Sequence, residues 1–266
     1  MLDALTYGWC IIAVMLFISF AFVVAQVKHR LDVVDVAWGG NFIVAAVVSF
    51  LLQPEADSLT IGVRTLVTAL VIIWGMRLSH HILQRLRRTS EDHRYVAMRK
   101  QWKGNLAINA YFKIFFTQGL LALVIVTPVL LINLTSGSFM HPLGWAGVLT
   151  GLAVWLIGFY FESTGDRQLR DFIADPKNKG KLMTKGLWRY SRHPNYFGEV
   201  TQWWGLAVMG VGLSFGFVGF VGALAITYLI VFVSGVPLLE KKYADRADWK
   251  AYKQRTSMLI PLPRRK

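Results

Sequence analysis

Apolar residues dominate the chain in long runs separated by short polar segments. A run of about 20 apolar residues is what an α-helix needs to cross the hydrocarbon core of a bilayer. The pattern predicts an all-α polytopic membrane protein with seven transmembrane helices, and Pro128 in the fourth predicts a local kink. The predicted spans, with boundaries good to a few residues, are 7–27, 32–52, 60–83, 111–134, 143–163, 195–213 and 215–239.

Composition agrees with this class. The 266 residues are 55% hydrophobic, and the net charge is +14. A basic balance can indicate a nucleic-acid partner, but these charges lie in loops between spans, so we expect no nucleic acid. Cys10 is the only cysteine, which excludes a disulfide framework, and no cleavable signal peptide is evident at the first run.

The basic loops predict orientation. Lys and Arg residues number two in 28–31, seven in 84–110, eight in 164–194 and nine from Lys241 onward, which is 26 of 29. The alternate loops are nearly bare, with only Arg64 near them. The positive-inside rule then places the N-terminus outside and the C-terminus in the cytoplasm. We expect one membrane domain over 1–266, with the long loops and tail folded over its cytoplasmic face.

The stretch from Lys185 to Gly205 joins a basic, aromatic loop to an apolar helix that Pro194 opens. The free N–H groups of a helix start form a natural anion site. A carboxylate inside a membrane helix is costly and is by default a functional hypothesis. We therefore expect a cofactor site at the cytoplasmic face, in which the polar residues are Arg189, Arg192, His193, Asn195 and Glu199.

The second and third spans carry polar residues that the membrane would otherwise exclude. Asp35 and Trp38 are three residues apart on the second, in a series with Asp32 and Asn41. Two readings of Asp35 stay open: a structural ion pair, for which Arg77 is a candidate partner, and a functional acid. Arg77 and His81, four residues apart, share a face of the third span, whereas the adjacent His80 and His81 point apart and make a poor metal pair, so no metal is expected.

The fifth span ends with Glu162, Asp166 and Arg170, each four residues apart on one face. Their plain interpretation is a set of ion pairs, but the lysines of the following loop make the local potential strongly positive, which would attract a phosphorylated ligand. The tail carries Tyr243 among its charges, and it is read either as an amphipathic helix on anionic lipid or as a cover for the cofactor pocket. No GxGxxG after a strand and no Walker loop occurs, so a dinucleotide would bind without a Rossmann fold.

The segment from Gly186 to Glu199, GLWRYSRHPNYFGE, resembles the signature of the steroid 5α-reductase-like membrane proteins, specifically the bacterial branch known as DUF1295. DVAWG at 35–39, WGMRLSHHI at 74–82 and EDHRY at 91–95 are similar to that branch too. The resemblance covers most of the chain and implies seven helices, NADPH held by about 143–266, substrate-facing helices in about 1–134, and a bacterial inner-membrane location.

Residue by residue, the resemblance implies that Asn195 and Glu199 contact the nicotinamide half of NADPH. Asp166, Arg167, Arg170 and Tyr243 are implied contacts of the diphosphate or adenosine. The full set of expected cofactor residues is Glu162, Asp166, Arg170, Arg189, Tyr190, Arg192, His193, Asn195, Tyr196, Glu199 and Tyr243.

The chain departs from steroid-reducing members, which carry a Gln-Glu pair in the second helix and a Tyr in the third. Asp35 and Trp38 stand in the second helix here, and Arg77 and His81 in the third, so these four form the expected catalytic set. The acid group therefore differs, and the substrate class stays open among sterol, polyprenyl and fatty acyl compounds.

Three hypotheses follow. The first is an NADPH-dependent reductase of a carbonyl-conjugated alkene on a lipophilic substrate that enters from the bilayer. The second is an S-adenosylmethionine-dependent membrane methyltransferase, because RHPxY also occurs in the isoprenylcysteine methyltransferases. The third is a lipid-binding scaffold without activity, which predicts that Asn195→Ala and Glu199→Ala leave function untouched.

Overall fold

The computed structural model describes residues 4–139 and 141–265, and within them the chain is all-helical with no strand. This confirms the all-α part of the predicted fold class. The α-helices are α1 Ala4–Lys28, α2 Val33–Leu51, α3 Ser58–Arg88, α4 His93–Gln101, α5 Leu106–Ala110, α6 Thr117–Ile125, α7 Thr127–Leu134, α8 Pro142–Ala174, α9 Pro194–Met209, α10 Phe220–Tyr228, α11 Val236–Tyr243 and α12 Ala247–Arg255. Segments of π-helix continue α5 into α6 at Tyr111–Phe116 and follow α10 at Leu229–Val233.

Six helical stretches in the described residues are long and apolar enough to cross a membrane. They are Leu5–Lys28, Val33–Leu51, Ser58–Arg88, Leu106–Ile125, Pro142–Ala174 and Gly216–Tyr243. The chain is therefore an integral membrane protein. The sixth predicted run forms α9, which has 16 residues and is not among the six, so the count of seven stays a prediction.

The helix is interrupted where Pro128 predicts a kink. α6 ends at Ile125 and α7 begins at Thr127, with the proline at the start of the new helix. Proline lacks the N–H that would continue the α-helical ladder and is tolerated in a first turn. The kink prediction is thus confirmed.

The chain forms two compact units. The first comprises Met1–Trp145 and Gly210–Val221, and the second Ala146–Met209 and Gly222–Lys266. In the first unit, α1, α2 and the start of the α5–α6 helix bury a common core that includes Ile18, Val34 and Phe115. The opposite side of α1 leaves Leu16 and Phe20 about two-thirds exposed, as expected of a face that meets lipid.

Arg64 is a fully buried cation with a structural use. Its guanidinium donates to the carbonyl oxygens of Ile132 at 3.2 Å, Thr135 at 3.1 Å and Pro54 at 2.7 Å. The last carbonyls of a helix have no intrahelical donors, so Arg64 satisfies the end of α7 and ties it to α3. The single arginine near the nearly bare loops is thereby explained by the fold.

Glycines set the distance between α8 and α9 in the second unit. A Cβ added to Gly158 would lie 2.6 Å from the Gly198 carbonyl oxygen, and one added to Gly151 would lie 2.5 Å from that of Gly205. Successive glycines on each helix are seven residues apart, which places them on one face. The two backbones are therefore in direct contact, as in membrane helix pairs that associate through small residues.

We predict that Gly158→Ala lowers the free energy of unfolding by about 1–2 kcal/mol, because the new methyl group meets backbone that cannot rotate away. Gly62→Ala is the matched control, since a Cβ there meets nothing within 4 Å. The control should stabilise α3 by about 0.5–1 kcal/mol through the better helix propensity of alanine. Thermal unfolding in detergent measures both, and equal stabilisation by the two substitutions would contradict the close packing.

Candidate functional site

Asp35 is the centre of a polar cluster in the first unit. It stands in the first turn of α2, and its Oδ1 accepts a hydrogen bond of 2.5 Å from the Tyr95 hydroxyl. The Arg94 guanidinium donates to Oδ2 at 3.1 Å, and an Arg85 nitrogen lies 3.8 Å from the same oxygen. The sequence pattern pairs neither arginine with Asp35, and the predicted pair with Arg77 stays a prediction.

Tyr95 is buried, with 6% of its surface exposed. Burial raises the pKa of its phenol well above the ordinary value, and the negative charge of Asp35 raises it further. The phenol therefore stays protonated at neutral pH and remains a hydrogen-bond donor. In the sequence Tyr95 stands out only as the end of the EDHRY stretch, whereas the fold gives it direct contact with Asp35.

Carboxylates hold the loop before α4 against the start of α2. Asp92 caps α4 by accepting from the Arg94 backbone N–H at 2.9 Å, while its own N–H donates to Asp32 at 3.0 Å. Asp32 also accepts a two-pronged bond from Arg30, at 2.8 and 3.1 Å. Glu91 accepts from the Leu31 N–H at 2.7 Å. The EDHRY and DVVD segments, far apart in sequence, thus form one charged network.

The other expected catalytic residues lie on α2 and α3 near a close helix contact. Trp38 is one turn beyond Asp35 on α2, while Arg77 and His81 are one turn apart on α3. A Cβ on Gly75 would lie 2.8 Å from the Gly39 carbonyl oxygen, so the two backbones touch here. Trp38 and His81 are partly buried, and Arg77 and His81 both interact with other parts of the protein.

Asn41 is fully buried on α2, and neither its amide nitrogen nor its amide oxygen has a hydrogen-bond partner among the described residues. An unsatisfied buried amide costs about 1–3 kcal/mol. The apolar sequence around Asn41 gives no signal of this; only the packing does.

Glu240 is the centre of a polar cluster in the second unit, as Asp35 is in the first. The buried Arg192 donates to its Oε1 through Nε at 2.9 Å and Nη2 at 2.8 Å. His193 Nε2 lies 3.4 Å from the same oxygen, and Lys253 Nζ lies 3.0 Å from Oε2. The motif residues Arg192 and His193 therefore share one carboxylate, which comes from α11.

The third guanidinium nitrogen of Arg192 holds the tail. Nη1 donates to the carbonyl oxygens of Lys253 at 3.1 Å and Thr256 at 2.7 Å, and the Arg192 backbone N–H donates to Ser257 O at 2.8 Å. The hydrogen-bond donors of Arg192 thus bind Glu240 and the chain around the end of α12. Its predicted role as a cofactor contact is not tested by these bonds.

The tail packs on the loop before α9. Tyr252 donates to the Trp188 carbonyl oxygen at 2.5 Å, and Ser191 Oγ donates to Leu259 O at 2.7 Å. Trp249 and Tyr252 are both buried. This part of the tail packs on protein through Trp249 and Tyr252, and contact of its other face with lipid stays a prediction.

Two pairs of polar side chains join α8 to α9. Asn195 donates to Asp166 Oδ1 at 3.0 Å, and Gln202 donates to Glu162 Oε2 at 2.5 Å. The Gln202 amide oxygen is buried and accepts no hydrogen bond from a described residue. Sequence analysis found Glu162, Asp166 and Asn195 but missed Gln202, which lies one helical repeat beyond Asn195 on the same face.

Tyr196 and Glu199 complete the start of α9. The Tyr196 ring stacks on that of His193, with centroids 5.6 Å apart. Glu199 is partly buried and interacts with other residues of the protein.

The remaining expected cofactor residues are accessible. Arg170, Arg189 and Tyr190 are exposed, with the Arg189 guanidinium 6.0 Å from the centre of the Tyr190 ring. Tyr243 packs at a tilt against Trp249, with ring centroids 5.5 Å apart. The structure thus gathers Arg192 and His193 on Glu240 and Asp166 on Asn195, and leaves Arg170 and Arg189 exposed, with Arg170 Nε 3.4 Å from Asp171.

Metal chemistry has no evident ligand set here. Within residues 4–139 and 141–265, no group of three or more His, Cys, Asp or Glu side chains is arranged to hold a metal ion.

This geometry defines an all-helical membrane protein with two polar clusters, one around Asp35 and one around Glu240. The family model described as "Protein of unknown function (DUF1295)" matches residues 21–256. The chain belongs to this steroid 5α-reductase-like family, as the resemblance implied.

Curated relatives fall into two enzyme classes. Methanethiol S-methyltransferase 1 of Bradyrhizobium diazoefficiens is 32% identical over 138 residues, which is 50% of this chain and 43% of that protein. The 3-oxo-5-alpha-steroid 4-dehydrogenase 1 of Mus musculus is 36% identical over 66 residues, 25% of this chain and 26% of that one. Steroid 5-alpha-reductase DET2 of Gossypium hirsutum is 32% identical over 76 residues, 29% and 28% of the two chains.

In each comparison the chain spans less than half the length of the curated relative. No solved structure matches it.

We predict that Glu240→Ala lowers the free energy of unfolding by about 3 kcal/mol, because it leaves the buried Arg192 guanidinium without its counter-charge. Asp248→Ala is the control, since the Asp248–Arg246 pair is largely exposed and water screens it. Thermal unfolding in detergent compares the two. A Glu240→Ala protein as stable as the control would show that Arg192 does not depend on this carboxylate.

Proposed function

We propose that the protein is an NADPH-dependent membrane reductase. Hydride would be added to the β-carbon of an alkene conjugated to a carbonyl, on a lipophilic substrate that enters from the bilayer. The observation that carries the proposal is the combination, in the second unit, of a buried polar patch at the start of α9 with a strongly basic exposed segment.

The basic segment suits the phosphates of a dinucleotide. Between residues 167 and 189 seven Lys and Arg residues stand against two Asp residues, and all seven are exposed. Arginine and lysine together are the groups that recognise a nucleotide 2′-phosphate. The seven are Arg167, Arg170, Lys177, Lys179, Lys181, Lys185 and Arg189. We assign the phosphate groups of NADPH to this segment.

The polar patch suits the carboxamide of a nicotinamide ring. The open Gln202 amide oxygen is a buried acceptor, and a carboxamide N–H₂ is a donor of the right kind to satisfy it. Asn195 and Glu199, which open the same helix, supply further donors and acceptors. When bound there, NADPH would supply the hydride.

In the first unit we assign the substrate carbonyl to the surroundings of Asp35. Addition of hydride to the β-carbon moves an electron pair toward the carbonyl oxygen, and a hydrogen-bond donor must stabilise that charge. Tyr95 is protonated, but its single O–H is donated to Asp35, so it would have to turn from Asp35 to the substrate oxygen to act as this donor. Arg77 and His81 are the other candidate donors. A proton then reaches the α-carbon, which completes the reduction.

Methyl transfer from S-adenosylmethionine is the second candidate. The specific observation that favours it is the methanethiol S-methyltransferase relative, whose match covers 50% of this chain against 25% for the mouse steroid dehydrogenase. The buried carboxylates Glu162 and Asp166 suit a cationic cofactor. The seven exposed Lys and Arg residues between 167 and 189 suit a cationic cofactor less well, because like charges repel.

We predict that NADPH raises the melting temperature of the purified protein in detergent, whereas S-adenosylmethionine does not. A ligand that binds only the native state must raise it by an amount set by concentration over affinity. Glu199→Ala should abolish the NADPH shift, and Glu55→Ala, which removes an exposed carboxylate in the other unit, should preserve it. NADH in the same assay tests the 2′-phosphate preference.

A shift with S-adenosylmethionine alone would replace the reductase by the methyltransferase. The scaffold hypothesis would be supported if no cofactor raises the melting temperature and if Asn195→Ala and Glu199→Ala leave function unchanged.

We further predict that Asp35→Asn and Tyr95→Phe each lower turnover by about 100-fold or more while the NADPH shift remains. The assay is NADPH oxidation with a 3-keto-4-ene steroid, a polyprenyl enal and a 2-enoyl lipid. Asp245→Asn, an exposed substitution of the same chemistry, is the control. If Asp35→Asn instead yields no folded protein, Asp35 is a structural ion-pair residue, and retained turnover in both variants would exclude a catalytic role.

A further inference from the structure

A cavity of about 150 Å³ lies in the first unit. It opens where α1 ends and α5 begins, and α4 closes one side. Much of its lining is apolar, from Ala25, Leu31, Trp102, Ala107 and Ala110. Neither the resemblance nor the proposed reaction assigns a use to it.

Three polar side chains also line the cavity: Gln26, His29 and Arg99. Arg99 donates through Nη2 to Glu91, and its other guanidinium nitrogens donate to no described residue. Gln26 and His29 make no side-chain hydrogen bond within the described part of the chain. All three present open N–H donors, which is the chemistry that binds phosphate oxygens.

The charge on the segments around the cavity is predominantly positive. The segments 26–31 and 99–113 that form it contain no acidic residue. Glu91 compensates Arg99, and Asp32 compensates Arg30, but four exposed lysines remain around the opening. They are Lys28, Lys100, Lys103 and Lys113. An anion at this site would meet an uncompensated positive field.

The cavity and its surroundings carry residue types that are typical of a membrane interface. Trp102 and Lys113 are in contact, with the ammonium 5.7 Å from the ring centre, and both residue types mark membrane interfaces. Leu106, which also lines the cavity, and the following Ile108 and Phe112 are about half exposed, so an acyl chain has apolar surface to follow. A free phosphate would use none of this surface.

We propose that the cavity binds the phosphate headgroup of an anionic phospholipid, with its acyl chains along the exposed face of the Leu106–Ile125 helix. Gln26, His29 and Arg99 hold the phosphate oxygens. The charge distribution predicts that this end of the helices faces the cytoplasm, where anionic lipid is enriched. The proposal does not depend on the reductase activity.

The test is a lipid titration of the purified protein in detergent, without NADPH, with melting temperature as the readout. Phosphatidylglycerol should raise it, whereas phosphatidylcholine and inorganic phosphate should not. His29→Asn with Arg99→Gln should weaken the apparent affinity for phosphatidylglycerol at least tenfold. Asparagine is used because His29 has a φ of 53°, a left-handed conformation that asparagine tolerates.

Two further variants keep the outcome decisive. Ala107→Phe fills the cavity but leaves the Arg99–Glu91 bond in place, so it should abolish the shift even if the double variant is unstable. Arg87→Gln with Arg88→Gln removes two exposed charges outside the cavity and should preserve it. Equal shifts with phosphatidylcholine or in all variants would overturn the proposal, and an equal shift with inorganic phosphate would make the ligand a free anion.

Discussion

Both units depend on the compensation of charges that are held away from water. An ionised side chain in such a place is costly unless partners surround it, and the loss of one partner is costlier than the loss of the pair. Asp35 and Glu240 each meet this constraint by collecting cations from segments distant in sequence. The charged contacts thereby fix the loop before α4 on α2, and the tail on the loop before α9.

Close backbone contact is the second constraint. Inside a bilayer lipid tails are as apolar as leucine, so helix pairs gain little from hydrophobic burial and depend on close packing. The glycines of α8 and α9 allow their backbones to touch, and Gly39 and Gly75 do the same for α2 and α3. Polar pairs such as Asn195–Asp166 can form across α8 and α9 because the helices are this close.

The contacts of the RHPxY motif explain why it occurs in two enzyme classes. Arg192 and His193 share Glu240, and Arg192 also holds the tail. This architectural role would serve a dinucleotide and a sulfonium cofactor equally well. The choice between the two cofactors must therefore depend on residues whose charges or hydrogen-bonding groups remain available, such as the cations of 167–189 and the amide oxygen of Gln202. The relatives, which include a methyltransferase and steroid reductases, are consistent with such a shared frame.

Much of the fold was accessible from the sequence. The length and polarity of the apolar runs predicted helices, the missing N–H of Pro128 predicted the break between α6 and α7, and spacing by four placed Glu162 and Asp166 on one face of α8. These are local properties, set by the period of the helix and by single residues. The extent of α9 was overestimated, because apolar composition continues past Met209 where the helix stops.

The partners of the polar residues were decided only by tertiary structure. Tyr95 reaches Asp35 across 60 positions, and Arg192 reaches Glu240 across 48. No periodicity relates such positions, because they belong to different elements and meet only when those elements pack. Among the described residues, the Asn41 amide and the Gln202 amide oxygen have no hydrogen-bond partner, and this too depends on tertiary structure, since it is a property of everything around a side chain. The sequence therefore determined the helices and the residue types available for chemistry. Packing decided which charged groups pair with other parts of the chain and which remain available to a ligand.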